Sequence, residues 1–366
     1  DRSIDGNPLN QMSHAKTKTP PINSENSSYL NFPDYLDLYK NEAGINLFRY
    51  GPDNWAPSIW QNLDKPKDFA MNINGNLQGD IIISEAKQRD IKVMMSIFAF
   101  FPPYTSKEAI AKKNNQKVIT QYLDYIIARY ASNIDIWELA NEALPSQEWQ
   151  SFVSDYLSKN DPYHHPITIS LENPQLKNSD LLSIHLYTHP KNNLELVEEI
   201  DKILQKTKEQ NWSGAIMLSE LGFSDANYFT GSADLMRKIS WILAMQKIGV
   251  VWWNVGDIFW QNGNTSNIYL GPNERTYLKE LKQKLQFYGE NTKIKQEISS
   301  QKNLAMYQLK NEQAEIFYLV RLKHEQQIDK KFSIKTDKPS TVRIINPQKN
   351  TVVQKLKINQ QTSEIL

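Results

Sequence analysis

Ile134-Asp-Ile-Trp-Glu-Leu-Ala-Asn141-Glu142 and Ala215-Ile-Met-Leu-Ser-Glu220-Leu-Gly222 each carry a short apolar run into a carboxylate. A helical repeat precedes both, over residues 117–131 and 194–210. Short apolar strands alternating with amphipathic helices are the mark of parallel βαβ units. The same rhythm extends in both directions. Strands are expected at 45–49, 91–97, 134–137, 167–170, 181–186, 215–218 and 249–253. Helices are expected at 35–42, stopped near Gly44, and at 82–89, 117–131, 149–158, 194–210, 233–247 and 274–287. Seven consecutive units over about 250 residues predict an α/β fold, a (β/α)8 TIM barrel, rather than an open sheet. The eighth strand, first in barrel order, is expected before Phe32, where no clear apolar run occurs.

Three segments follow from the change of texture. Residues 1–30 are an irregular N-terminal segment rich in Asn, Ser, Thr, Lys and Pro, and residues 31–290 form the barrel. Residues 300–366 alternate short strand-like runs with Asn, Asp, Lys and Pro turns, which predicts a small antiparallel, β-sandwich-like domain. Some 60 residues make a marginal core, so this domain is expected to pack on the barrel.

The 366-residue chain is 40% hydrophobic and balances 42 Lys plus Arg against 41 Asp plus Glu, a net charge of +1. A chain without a basic stripe gathers neither phosphate nor nucleic acid, so a neutral substrate is expected and nucleic acid is not. The chain has no cysteine, so disulfides, thiolate catalysis and cysteine metal sites are excluded. The longest uncharged apolar stretch, 93–106, contains Pro102 and Pro103 and falls short of the roughly 18 residues of a membrane span. The stretch that opens with Asp1 is polar and lacks the apolar core of a signal peptide. Oligomeric state is not legible.

Barrel enzymes carry their chemistry at the C-terminal ends of the strands. Here those exits read Arg49-Tyr-Gly-Pro-Asp-Asn-Trp55, Asn141-Glu142, His185-Leu-Tyr187, Glu220 and Trp253-Asn254. Taken singly each has an ordinary reading. Asn-Glu can start a helix, Arg49 can make a structural ion pair, and His185 and Tyr187 can be a core pair. Of Trp252 and Trp253, one should face the core, because strand neighbours point to opposite sides. Together they make a concentration of polar and aromatic groups at one end of the barrel.

In that order these residues resemble the active-site set of the clan A retaining glycoside hydrolases, most closely families 5 and 39, over roughly residues 32–288. The resemblance implies that Glu142 is the acid/base and Glu220 the nucleophile. It also implies that Asn141 holds a sugar 2-hydroxyl, that Arg49 and Tyr187 hydrogen-bond the nucleophile, and that Trp253 lies under the sugar. Where family 5 has a histidine after strand 3, this chain reads Ile97-Phe-Ala-Phe-Phe-Pro-Pro-Tyr104, so a neighbouring family is the alternative.

The expected activity is double-displacement hydrolysis of β-linked polysaccharide or oligosaccharide, endo-acting and without cofactor. The two glutamates need opposite protonation states. Glu142, with no cation near it in sequence, is expected to stay protonated while Arg49 and Tyr187 keep Glu220 ionised. Trp55, Trp60, Trp149, Tyr228, Trp260 and the aromatics of 98–104 are expected to line a sugar cleft, with His185 as a further substrate contact. A polymer substrate implies a secreted, periplasmic or cell-surface protein. The rivals are an exo-β-glycosidase or transglycosylase, and a silent carbohydrate-binding barrel. No metal is expected. His164-His165 lies at a strand start, the wrong end for barrel chemistry, and there is no His-Glu-x-x-His.

Overall fold

Glycine sets the first boundary. α1 (Phe32–Leu38) tightens into a π-helical turn at Tyr39–Ala43, and Gly44, at φ 71°, caps it by donating its backbone N–H to Tyr39 O. The chain then enters β1 (Leu47–Tyr50). This is a computed structural model. It describes residues 32–365 apart from 53–57, 62–67, 99, 101, 171–172, 174, 189, 223–231, 253–271, 287, 290–291, 299–302, 323–331, 335–339, 348, 350 and 359–362.

The alternation continues through α2 (Ile73–Gln88), β2 (Lys92–Phe98), α3 (Lys107–Ile110), α4 (Lys113–Tyr130), β3 (Ile136–Ala140), α5 (Gln147–Asn160) and β4 (Ile167–Thr168). After these come β5 (Leu181–Tyr187), α6 (Asn193–Glu209), β6 (Ala215–Gly222), α7 (Ser232–Ala244), β7 (Gly249–Trp252) and α8 (Pro272–Leu285). Strands β1-β2-β3-β4 pair in parallel, as do β5-β6-β7. Three hydrogen bonds stitch β4 to the start of β5: Asp180 N to Ile167 O at 3.1 Å, Ile167 N to Asp180 Oδ2 at 3.2 Å, and Thr168 Oγ1 to Leu181 O at 2.6 Å.

Met94, Leu181 and Met217 are buried together with half-buried Leu47, Ile136 and Val251, so one layer of side chains draws on six strands. Such a layer is the filling of a closed barrel, and the fold is the (β/α)8 barrel expected from the sequence. The opposite faces of the strands, among them Val93, Met95, Trp137, Leu182 and Leu218, pack under the helices. Each such side chain contributes about 1.5–3 kcal/mol by leaving water. The strand expected before Phe32 lies outside the described residues.

Three aromatics assigned to a cleft are core instead. Trp60 is fully buried against Phe69 and Tyr122, and Trp149 is fully buried against Phe98 with its Nε1 donating to Pro103 O at 2.9 Å. Burying rings of this size is worth more to the helix layer than to a solvent-facing groove. Phe98 is buried with them.

Beyond the barrel, β8 (Lys293–Ile298), β9 (Leu304–Lys310) and β10 (Glu315–Arg321) form an antiparallel sheet in the order β10-β9-β8. Further on, β11 (Phe332–Ile334) pairs antiparallel with β14 (Ser363–Ile365), and β12 (Ser340–Asn346) with β13 (Thr351–Ile358). Ala305, Tyr307, Leu309, Tyr318 and Val320 share one buried cluster with Leu196, Ile239 and Ile242 of α6 and α7, so the three-stranded sheet packs on the barrel's helices. Among the described residues, no helix is long and apolar enough to cross a membrane.

Candidate active site

Strand parity delivers the polar residues to one place. On β1, Leu47 fills the interior layer and Arg49, two residues on, faces the same way; on β3, Ile136 and Glu138 do so. On β5 the run is Leu181, Ser183, His185, Tyr187.

Strict alternation on β6 would turn Glu220 outward, since Met217 and Ser219 already point in. The strand carries one extra residue here. Ile184 pairs with Leu218 but His185 with Glu220, and the register toward β7 slips between Leu218 and Leu221. This bulge lets consecutive side chains face the interior, Ser219 reaching Ser170 and Glu220 reaching Arg49. Glu220 therefore lies within its strand, not beyond its end as the sequence suggested. After β3, Glu142 adopts φ 50°, a left-handed conformation that costs about 1–2 kcal/mol for a residue with a side chain.

Arg49 is the hub. Nη1 donates to Glu220 Oε1 at 2.6 Å and Nη2 to Asn141 Oδ1 at 2.6 Å, while Nε and Nη2 lie 2.9 and 2.7 Å from Glu138 Oε2. Burial opposes its charge, but the carboxylates of Glu138 and Glu220 outweigh burial and raise its pKa. Tyr187 donates its hydroxyl to Glu220 Oε2, and burial first, then Glu220, push that phenol above its ordinary value. His185 Nδ1 lies 2.9 Å from Glu142 Oε1 and 3.5 Å from Glu220 Oε2. Its hydrogen bond holds Glu142 below the usual carboxylate range, against the effect of partial burial. The sequence showed no partner for Glu142, and the fold supplies one: a histidine from β5, 43 residues away. Glu220 is buried and Glu142 is exposed.

Arg49, Asn141, Glu142, His185, Tyr187 and Glu220 therefore meet. Trp55, Tyr228, Trp253 and Trp260 lie outside the described residues, whereas Trp252 packs among the helices. Sequence reasoning missed Glu138, fully buried, and the serines beneath it, Ser170, Ser183 and Ser219. Their signal was present: they are polar residues at inward parity in otherwise apolar strands. Two buried polar atoms of these residues have no hydrogen-bond partner, Asn141 Nδ2 and His185 Nε2.

Donor atoms of Glu142, His185 and Glu220 lie within 4.8 Å of one another, close enough to hold a metal ion, a grouping the sequence spacing did not suggest. The set suits a cation poorly. Both Glu220 oxygens are engaged, one by the Arg49 guanidinium and one by Tyr187.

No protein-family model matches the sequence, and comparison with curated proteins finds no match. Solved structures do match. A family 5 lichenase from Caldicellulosiruptor sp. F32 aligns at TM-score 0.53 with 13% identity, over 73% of this chain and 90% of its own. A mutant of that lichenase in complex with cellotetraose aligns at 0.53 and 13%, over 68% and 83%. A family 5 mannosidase from Rhizomucor miehei aligns at 0.49 and 14%, over 69% and 87%. At such identity the lichenase shares a fold with this chain, and that fold is the (β/α)8 barrel of the family 5 glycoside hydrolases.

Proposed function

We infer that the chain is a retaining glycoside hydrolase that cleaves β-linked polysaccharide or oligosaccharide, with Glu220 as nucleophile and Glu142 as acid/base. The spacing of the two carboxylates carries this reading. Their oxygens approach within 4.8 Å, against about 5–5.5 Å in retaining enzymes and about 6.5–9.5 Å in inverting ones, which must fit a water between them.

In the first step Glu220 attacks the anomeric carbon while the glycosidic C–O bond breaks and Glu142 gives its proton to the leaving oxygen. Arg49 and Tyr187 hold the attacking carboxylate in place. In the second step Glu142, now ionised, takes a proton from water, the water oxygen attacks the anomeric carbon, and Glu220 leaves. His185 favours that ionised form of Glu142, which suits the second step. Asn141 Nδ2, buried and unpaired, is a ready donor for a sugar hydroxyl at the reacting ring. Trp253, Trp55 and Trp260 are assigned to stacking on sugar rings, and with them endo action on a polymer outside the cell. A lichenase of the same fold solved with cellotetraose supports a β-linked glucan as the first substrate to try.

A 2-deoxy-2-fluoro β-glycoside with a good leaving group tests the assignment, because it stalls at the glycosyl-enzyme. The expected result is one label per chain, on the peptide containing Glu220, lost in Glu220→Gln but still formed in Glu142→Gln, because a good leaving group departs without the proton that Glu142 supplies. Label elsewhere, or turnover retained in Glu220→Gln, would overturn it.

A further inference from the structure

Resting on that reading, we propose that Glu138 is a positioning residue which divides the charge of Arg49 between two buried carboxylates and so sets the ionisation of Glu220. Glu138 sits two residues along β3 from the interior layer, wholly inside the barrel. Its Oε2 takes two contacts from Arg49, Nε at 2.9 Å and Nη2 at 2.7 Å, and its Oε1 accepts from Ser170 Oγ. Ser170 in turn touches Ser183 at 3.2 Å and Ser219 at 3.3 Å. The carboxylate is thereby fixed at both ends.

Two consequences follow from the geometry. With Nε and one edge of Nη2 committed to Glu138, the fork of the guanidinium is locked so that Nη1 aims at Glu220 and Nη2 at Asn141. Arg49 also serves two anions. One cation between two carboxylates leaves the cluster one negative charge in excess, and a like charge nearby disfavours ionisation of its neighbour. The groups facing Glu220 are Arg49 from β1, Glu142 from the β3 exit, and His185 and Tyr187 from β5. Glu138 reaches it through Arg49. Without its charge the whole of the Arg49 cation falls to Glu220, which becomes a better-stabilised carboxylate and a poorer nucleophile.

The test is Glu138→Gln, which keeps the shape and an acceptor for Arg49 but removes the charge. Carbon-13 NMR titration of the glutamate carboxyls, with Glu220 assigned by its loss in Glu220→Gln, reads the ionisation directly and needs no turnover. It is expected to move the Glu220 transition down by about one pH unit. On an aryl β-glycoside that the unsubstituted chain cleaves, the acidic limb of the kcat/KM profile moves the same way. There kcat falls about tenfold, and KM changes less than about twofold. A folded Glu138→Gln whose Glu220 titration is unmoved or raised would overturn the proposal. If that variant does not fold, Glu138→Asp replaces it. The charge then persists but is drawn back by one methylene, so the transition shifts down by less, and no shift overturns the proposal as well. A chain that shifts as expected yet cleaves no glycoside would instead sink the functional reading alone.

Discussion

At the residue scale, the pairing of His185 with Glu142 is the feature that sequence order concealed. His185 lies on β5 and Glu142 just beyond the end of β3, and their 2.9 Å contact makes the proposed acid/base a group held below the ordinary carboxylate range. An acid must carry its proton to act, so a depressed value places the working range on the acidic side of neutral. The sign of the test is fixed by the hydrogen bond. A donor to the ionised form lowers the pKa, so its removal lets Glu142 keep its proton to higher pH. His185→Ala is therefore expected to move the basic limb of the kcat/KM profile upward, while the acidic limb responds less because His185 stands 3.5 Å from Glu220. A basic limb that stays put, in a variant that still turns over, would show that His185 does not tune Glu142. Asn141, Glu142, Tyr187, Glu220 and Arg49 were legible in the sequence because each stands beside a clear apolar run. Glu138 shows the same kind of signal, inward parity on β3, but was passed over because a charge between Trp137 and Leu139 reads as the polar break of an ordinary strand.

At the element scale, periodicity gave the seven strands and their helices, and what it missed has local causes. α2 begins at Ile73, capped by Asn72 Oδ1 accepting from Gly75 N, although the sequence predicted a start at 82. The polar, glycine-containing stretch 73–81 hides its first turns, and one of those glycines has a packing reason. A Cβ on Gly79 would stand 2.9 Å from Tyr130 Oη and 3.1 Å from Tyr50 Oη, where β1, α2 and α4 converge. Gly→Ala inside a helix ordinarily stabilises by about 0.4–1 kcal/mol. Here Tyr130 is buried and bonded to Asn76 Oδ1 at 3.0 Å, so overpacking, at about 1–3 kcal/mol, outweighs the helical gain. Gly79→Ala is expected to lower the melting temperature by a few degrees, read by calorimetry. A rise would mean that the two tyrosines yield without loss. The β6 bulge was illegible for another reason: a one-residue slip leaves composition and period unchanged and appears only when both neighbouring strands are paired. β8 escaped notice because Ile294 and Ile298 are separated by Lys, Gln and Glu, although Gln296 Nε2 reaches Asp201 Oδ1 of α6 at 2.8 Å.

At the scale of the whole molecule, the question is whether the sheet of β8, β9 and β10 is an appendage or part of the barrel's stability. Trp241 of α7 and Tyr318 of β10 stack at 5.2 Å between ring centroids with planes 16° apart, and Arg237 Nη1 donates to Tyr318 Oη at 3.4 Å. Asn193 Nδ2 adds a bond to Arg321 O at 2.6 Å. A sheet of three strands has only one face to bury, and its buried residues share a cluster with α6 and α7 rather than closing a core of their own. Melting of the sheet must then strip cover from those helices, which couples the two parts into one transition. Trp241→Ala and Tyr318→Ala are each expected to cost about 3–5 kcal/mol, since each removes a large ring from a packed site. Their double variant should cost less than the sum, the shortfall being about 0.5–1.5 kcal/mol from the lost stack. Denaturant unfolding followed by tryptophan fluorescence and by far-ultraviolet circular dichroism should give coincident curves for the unsubstituted chain. Strict additivity together with two separate transitions would make the sheet an independent unit whose contact with the helices contributes nothing to holding the barrel.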